Sequence, residues 1–195
     1  MSKEAPGVRY AEVELETEEN RVRVVLDLDG ERQATTTTGV GYFDHMLSTF
    51  AYHGCFDLGV TAERDYVIDD LHILEDVGAC LGRAIRQAIG DGGGIVGYGS
   101  EHAPMDEALA HAVVDLSGRS YLNFEAEFSV DKIGEMSTEN VEQFFHAVAR
   151  GANMTLHIRQ LAGHNNHHVC EAIFRAFGRS LFHAVTKIGQ SSRQR

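Results

Sequence analysis

Two short histidine–carboxylate motifs hold the reactive chemistry of this chain. His167, His168 and Glu171 read H-H-x-x-E, and His72 with Glu75 reads H-x-x-E. Residues four apart on a helix share a face. His167 and Glu171 would therefore present an imidazole and a carboxylate to one point, while His168 turns roughly a third of a turn away. A helix of this kind can donate to two metal ions, His167 with Glu171 to one and His168 to the other. Imidazole with carboxylate suits a divalent ion such as Mn, Fe or Zn, and the chemistry it supports is Lewis-acid or water-activating. One H-x-x-E alone reads more simply as a solvated or capping pair. Two copies at equivalent positions of a repeat reverse that preference. The composition points the same way, with 11 histidines beside only 3 lysines, histidine being the commonest metal ligand.

The elements that must position these groups are legible as periodicities. Val22, Val24, Leu26 and Leu28 alternate, Asp29-Gly30 follows, and then the β-branched run 35–38, a pattern that predicts a hairpin with a tight turn. A further strand is expected at 8–15, a short helix from Asp44 with Met46, Leu47, Phe50 and Ala51 inward, and a strand at 56–62. Ile73, Val77, Leu81, Ile85 and Ile89 recur every four residues and predict a helix over 69–89, ended by Gly90 and a glycine-rich break. The second half repeats the succession: strands at 110–116 and 121–128, a helix capped by Ser137 and running to 151, a strand at 154–160, and a long helix over 166–187. Ninety-six residues apart, His72 falls on His168, Glu75 on Glu171, Gly82 on Gly178 and Arg83 on Arg179, within matched apolar stripes. The reading is an α+β fold with internal pseudo-twofold symmetry, residues 1–95 forming one half-repeat and 96–195 the other, together one compact catalytic domain.

Composition sets outer limits. The chain has 195 residues, enough to bury a real core, and a formal charge of −12. That balance argues against coating nucleic acid or anionic lipid, which needs a cationic face. The first residues lack the apolar core of a signal peptide, and no run of about 18 apolar residues occurs. The expectation is a soluble, cytoplasmic protein without nucleic-acid or membrane partners. Cys55, Cys80 and Cys170 show no C-x-x-C spacing, which suits reduced thiols. Gly92–Gly94 lacks the lysine and Ser/Thr of a phosphate-cradling loop. His102, His111 and His183 have no partner spacing and read as satisfied surface or core residues.

Taken together, GYFDHML at 41–47, DDLHxxED at 69–76, PMDEAL at 104–109, DLSGR at 115–119, LHIR at 156–159 and HHxxE at 167–171 resemble the imidazoleglycerol-phosphate dehydratase family, in order and over nearly the whole chain. The resemblance implies helices packed between two mixed four-stranded sheets, and a lyase (hydro-lyase) of histidine biosynthesis. Two Mn ions at a subunit interface would hold the substrate imidazole as an imidazolate, and Glu19 would help move a proton from the glycerol carbon. The hydroxyl beside the ring would leave as water, giving imidazole acetol phosphate. It also implies a homo-oligomer, a 24-subunit shell built from trimers, whose sites exist only where subunits meet. His72, Glu75 and Glu171 would join Glu19 in catalysis. His53, Asp106, Arg119, Arg175, Ser192 and Arg193 would bind the substrate and its phosphate.

Carried over residue by residue, one family metal site takes His45, His72, His167 and Glu171, all present. The other takes positions 71, 75, 143 and 168, here Leu71, Glu75, Gln143 and His168. A leucine cannot ligate, and a glutamine amide is a weak neutral donor. Either His146, His157 or His164 stands in, or the chain works with a single metal, which is the preferred reading. The family's phosphate-binding arginine is replaced by Gly97 and its lysine by Arg175, while Arg119 is kept. The expectation is a divergent, single-metal dehydratase acting on a small phosphorylated, imidazole-like substrate. The ordinary histidine-pathway enzyme is the alternative, and a non-catalytic assembly or metal-binding paralogue the third.

Overall fold

The computed structural model describes residues 9–17, 20–64 and 70–188. Two four-stranded mixed sheets share one plan. In the first, β1 (Tyr10–Glu16) pairs antiparallel with β2 (Asn20–Asp27), β2 pairs antiparallel with β4 (Asp57–Arg64), and β3 (Ala34–Thr37) lies parallel at the far edge of β4. In the second, β5 (Tyr98–Met105) pairs antiparallel with β6 (Ala108–Asp115), β6 with β10 (Thr155–Ala162), and β7 (Tyr121–Glu125) runs parallel to β10. The orders β1-β2-β4-β3 and β5-β6-β10-β7 are therefore equivalent. Each sheet arises from the same succession of three strands, a helix, a strand and a long helix. These helices are α1 (Gly41–Gly54) and α2 (Leu71–Ile89), then α3 (Glu139–Ala152) and α4 (Asn166–Ala184). The second half adds a ribbon of β8 (Lys132–Ile133) and β9 (Met136–Ser137).

Alternation decides each strand's faces: Val22, Val24 and Leu26 are fully buried while Arg21 and Arg23 face solvent. The expected hairpin through Asp29-Gly30 does not form. β2 already has β1 on one edge and β4 on the other, so the run at 34–37 passes over to the outer edge of β4. Asp57 secures that passage, its Oδ1 accepting from the amides of Glu31 (2.7 Å) and Gln33 (2.8 Å). β5, with Gly99, Pro104 and few large apolar residues, has no clear period-two signal and escaped the sequence reading. β7 stops at Glu125 and α4 at Ala184, short of their expected ends. The cap of α3 is Thr138 rather than Ser137. Ser137 instead donates its amide and hydroxyl to Asp70 at 2.6 and 2.7 Å.

The helices fill the space between the sheets, α2 against β1 and β2 and α4 against β5 and β6. Their shared core is aromatic. Phe50 stacks on Phe177 at 5.1 Å, Phe144 on Phe174 at 5.4 Å, and Phe43 meets Phe144 edge-on at 5.2 Å. Burying each such ring is worth about 1.5–3 kcal/mol. The repeat-equivalent glycines Gly82 and Gly178 let helices touch backbone to backbone. A Cβ on Gly82 would run into the Val148 carbonyl, and one on Gly178 would lie 2.6 Å from the Phe50 carbonyl oxygen. The second contact seats α1 on α4, which brings the histidine of one helix to the motif of the other. No helix among the described residues is long and apolar enough to cross a membrane.

Candidate metal centre

The first turn of α4 is set by its cap. Asn165, with extended backbone, accepts from the amides of His167 (3.0 Å) and His168 (3.4 Å), so the H-H-x-x-E run begins at the helix start. His167 Nε2 then lies 3.2 Å from Glu171 Oε2, the i, i+4 meeting that the spacing predicts. From α1, His45 brings Nε2 to 3.5 Å from the same oxygen. Donor atoms of His45, His167 and Glu171 all lie within 4.8 Å of one another, the one such three-residue group among the described residues. Behind them Tyr42 is buried, its ring edge-on to His167 at 4.9 Å and its hydroxyl donating to the His167 carbonyl at 3.2 Å. Nothing in the sequence singled out Tyr42.

The floor of the group is the Glu171 carboxylate, only 7% exposed. Burial pushes its carboxyl upward, but Arg175, then His45 and His167, outweigh that and hold it below the ordinary glutamate value. Arg175 grips the other oxygen, Oε1, through Nε at 3.1 Å and through Nη2. Two imidazoles and an ionised carboxylate with one oxygen left toward them fit a divalent transition ion.

His168 points elsewhere, as its position on the helix requires. Its Nδ1 is 2.6 Å from Glu107 Oε2, and its Nε2 is 3.8 Å from Asp106. Glu107 Oε1 also accepts from the Asn165 amide at 2.9 Å. The hydrogen bond from His168, followed by these amides, holds the Glu107 carboxyl down at about 2, and the same pairing raises His168. Both acids come from the two-residue turn between β5 and β6, where Asp106 takes a positive φ of 47° that aspartate tolerates. Glu107 sits inside the motif at 104–109, but its partner lies 61 residues away and only the fold reveals it.

The remaining sequence candidates scatter. His72 and Glu75 stand in the first two turns of α2 and take no part in the three-residue group; Leu71 and Gln143 are on α2 and α3. His146 is exposed on α3, His157 lies on β10 with its ring 5.6 Å from that of Tyr121, and exposed His164 is 3.9 Å from Glu107. Glu19, Ser192 and Arg193 lie outside the described residues. Arg119 is largely exposed, 3.8 Å from Asp115. His53 lines a cavity of about 410 Å³ with Arg32, Tyr52, Cys55, Arg179, Phe182 and His183. Burial, then the charges of Arg175 and Arg179, hold His53 below the ordinary histidine value.

The sequence model of imidazoleglycerol-phosphate dehydratase matches residues 38–181, which spans every element from α1 almost to the end of α4. The chain belongs to the imidazoleglycerol-phosphate dehydratase family. Imidazoleglycerol-phosphate dehydratase of Acetivibrio thermocellus is 51% identical over 179 residues, 92% of each chain, and that of Streptococcus mutans is 50% identical over the same coverage. The crystal structure of the Staphylococcus aureus family member superposes with a TM-score of 0.82 at 39% identity, covering 91% of this chain and 99% of that one. A Pyrococcus furiosus member, solved in complex with (S)-C348, gives a TM-score of 0.79 at 30% identity, covering 91% and 95%. The α+β architecture of two mixed four-stranded sheets with four helices is that of the family, and the family's activity is a dehydratase's, a lyase of histidine biosynthesis.

Proposed function

We propose that this chain dehydrates imidazoleglycerol phosphate to imidazole acetol phosphate, the ordinary reaction of histidine biosynthesis, as a metal-dependent hydro-lyase of the cytoplasm. The observation that carries the reading is the meeting of His45, His167 and Glu171 around one carboxylate oxygen, in a chain about half identical to named dehydratases along nearly its whole length. That likeness supports the ordinary substrate over a divergent one.

His45, His167 and Glu171 would hold the ion, Mn on the family's pattern and Fe or Zn on donor chemistry alone. Bound there, the ion supplies Lewis-acid stabilisation of negative charge on the substrate ring. Glu171, ionised and shielded from water, fixes the floor of that site. His72 lies outside the group in its own chain and completes the set from a neighbouring copy, so the working form is a homo-oligomer, 24 subunits built from trimers on the family's pattern. Glu19 takes the proton from the glycerol carbon, the hydroxyl next to the ring takes up a proton and departs as water, and the resulting enol tautomerises to the ketone; Glu75, on α2 with His72, reaches the site from the same neighbouring copy. Asp106 orients the glycerol hydroxyls. The phosphate is met by His53, in the cavity it shares with Arg32 and Arg179, by largely exposed Arg119, and by Ser192 with Arg193. Growth of a histidine auxotroph lacking its own dehydratase tests the reading. The intact chain should restore growth and the His167→Ala variant should not; no growth with folded, expressed chain contradicts it.

A second reading, one metal per chain instead of two, is favoured by Leu71 and Gln143 at family ligand positions and by the engagement of His168 with Glu107. Elemental analysis after purification with Mn and without chelators separates the two. One ion per chain supports it, and Leu71→His combined with Gln143→His should then add a second; two ions in the unmodified chain overturn it.

A further inference from the structure

The cavity that His53 lines lies farther along the two helices that carry the metal centre. His53 follows His45 by eight residues on α1, and Arg179 follows Glu171 by eight on α4, about 12 Å of helix in each case. The arginines of the cavity are Arg179 and Arg32, the latter from the connection between β2 and β3. Arg179 is already compensated. Glu101 accepts from its Nε at 3.2 Å and its Nη2 at 3.1 Å, and the other oxygen of Glu101 lies 2.9 Å from His183 Nδ1. Arg32 differs, for it forms no ion pair among the described residues. Its guanidinium lies 5.1 Å over the Tyr52 ring and beside the Cys55 thiol, so its charge meets only neutral groups in a chain of formal charge −12.

The backbone holds Arg32 from both sides. Asp57 Oδ1 accepts from the amides of Glu31 and Gln33 at 2.7 and 2.8 Å, and the Gln33 carbonyl accepts from the Leu58 amide at 2.8 Å. Between these anchors Arg32 takes a φ of 70°, a left-handed conformation that few residues other than glycine adopt. Glycine would occupy it without strain, so the connection itself has no need of a side chain there. Residues held in such conformations gather at active sites and ligand clamps. The side chain rests on the face of Tyr52, whose ring stands edge-on to His53 at 5.3 Å, and that seat directs the guanidinium into the cavity His53 shares. A planar fork of N–H groups without a carboxylate partner matches the oxygens of a phosphate.

We propose that Arg32 contacts the phosphate of the substrate, as the cation that the β2–β3 connection brings to this cavity. The proposal rests on the dehydration of imidazoleglycerol phosphate proposed above: with the ring at the metal, the glycerol chain carries the phosphate along α1 and α4 toward His53 and Arg32. The test is steady-state turnover of imidazoleglycerol phosphate by the purified, Mn-loaded full-length protein, for the parent, Arg32→Asn and Arg32→Lys, with inorganic phosphate as a competitive inhibitor of each. Asparagine tolerates the left-handed backbone while removing charge and fork; lysine keeps the charge alone. For Arg32→Asn the expected result is a KM raised roughly tenfold, the lower end for a hydrogen bond to a charged group. The phosphate inhibition constant should rise by a similar factor, with kcat and Mn affinity close to the parent's, the split that marks lost binding and not lost chemistry. Arg32→Lys should fall between the two, and it carries the test alone if circular dichroism shows that Arg32→Asn does not fold. A KM equal to the parent's overturns the proposal, and weakened phosphate inhibition beside it would make the cavity an anion site apart from the substrate. A fall in kcat together with Mn affinity also overturns it, since Arg32 would then be supporting the metal centre. A parent that binds Mn but does not turn over the substrate removes the dehydratase reading and this proposal with it.

Discussion

Gly178→Ala tests whether the close seat of α1 on α4 builds the metal centre. The added methyl carbon would lie 2.6 Å from the Phe50 carbonyl oxygen and 3.1 Å from the Gly54 nitrogen, both backbone atoms that cannot rotate away. Relaxed C···O contacts run at about 3.3–3.6 Å, so α1 must back off by roughly 0.7 Å or more. Overpacking of this kind costs about 1–3 kcal/mol, against which alanine recovers about 1 kcal/mol of helix propensity over glycine. The expected net loss runs from near zero to about 2 kcal/mol, a fall in Tm of up to roughly 8 °C for a chain of this size. His45 rides on the displaced helix, and ligand positions tolerate only about 0.2 Å. Mn affinity should therefore fall as well, by roughly tenfold, the size of effect that displaced ligands show. Urea and thermal denaturation at one fixed protein concentration, which keeps any contribution from subunit association constant, measure the first effect, and Mn titration the second. Stabilisation by about 1 kcal/mol with unchanged Mn binding, the behaviour of a helix glycine with open space beside it, would refute the contact and its role.

Three further outcomes follow from local geometry. Tyr42→Phe removes a buried hydroxyl 3.2 Å from the His167 carbonyl and should cost about 0.5–1.5 kcal/mol by urea denaturation; no loss would mean that the hydrogen bond contributes nothing. Asn165→Ala deletes the cap of α4 and should cost about 1 kcal/mol while weakening Mn binding, since both histidine amides lose their acceptor; intact Mn affinity would detach the cap from the site. His111 hydrogen-bonds Ser100 at 2.8 Å and stacks on His102 at 4.2 Å. Burial, then the charges of His102 and Arg159, hold it below the ordinary histidine value against opposing Glu101. The unfolded chain therefore takes up that proton at higher pH than the folded one. The contribution is whole above about 6.5, the ordinary histidine value, and is lost as pH falls from there through the lower folded value. Thermal melts should show the parent losing more Tm than His111→Gln between pH 7.5 and 5.5; equal slopes would contradict this.

Much of the fold was legible because its signals are periodic and local. The stripe at 73, 77, 81, 85 and 89 needs no knowledge of neighbours to read as α2, and alternation in β2 declares its buried face. Partner choice is different. Asp29-Gly30 looks like a hairpin turn, and only the occupied edges of β2 and the grip of Asp57 on residues 31 and 33 explain why β3 goes to β4. In the metal centre, His167 and Glu171 could be paired from spacing alone. His45 came only from resemblance, because α1 meets α4 through a backbone contact at Gly178 that no local pattern encodes. Tyr42 and Glu107 meet their partners across 60 residues or more, where sequence carries no signal; Arg175 stands four residues from Glu171, a pairing that spacing permits, and only its contact with the Pro104 carbonyl needs the fold.

The central claim is that a metal held by His45, His167 and Glu171 serves the dehydration of imidazoleglycerol phosphate. Its most direct test is the initial rate of ketone formation from that substrate by metal-stripped protein as Mn is added back, with Glu171→Gln run beside the parent. The account predicts almost no turnover before addition and a saturable rise with Mn. The variant should require at least tenfold more Mn, the scale on which a lost ligand or its support acts, or remain inactive. Turnover indifferent to added metal, or a protein loaded with Mn that leaves the substrate untouched, would contradict it.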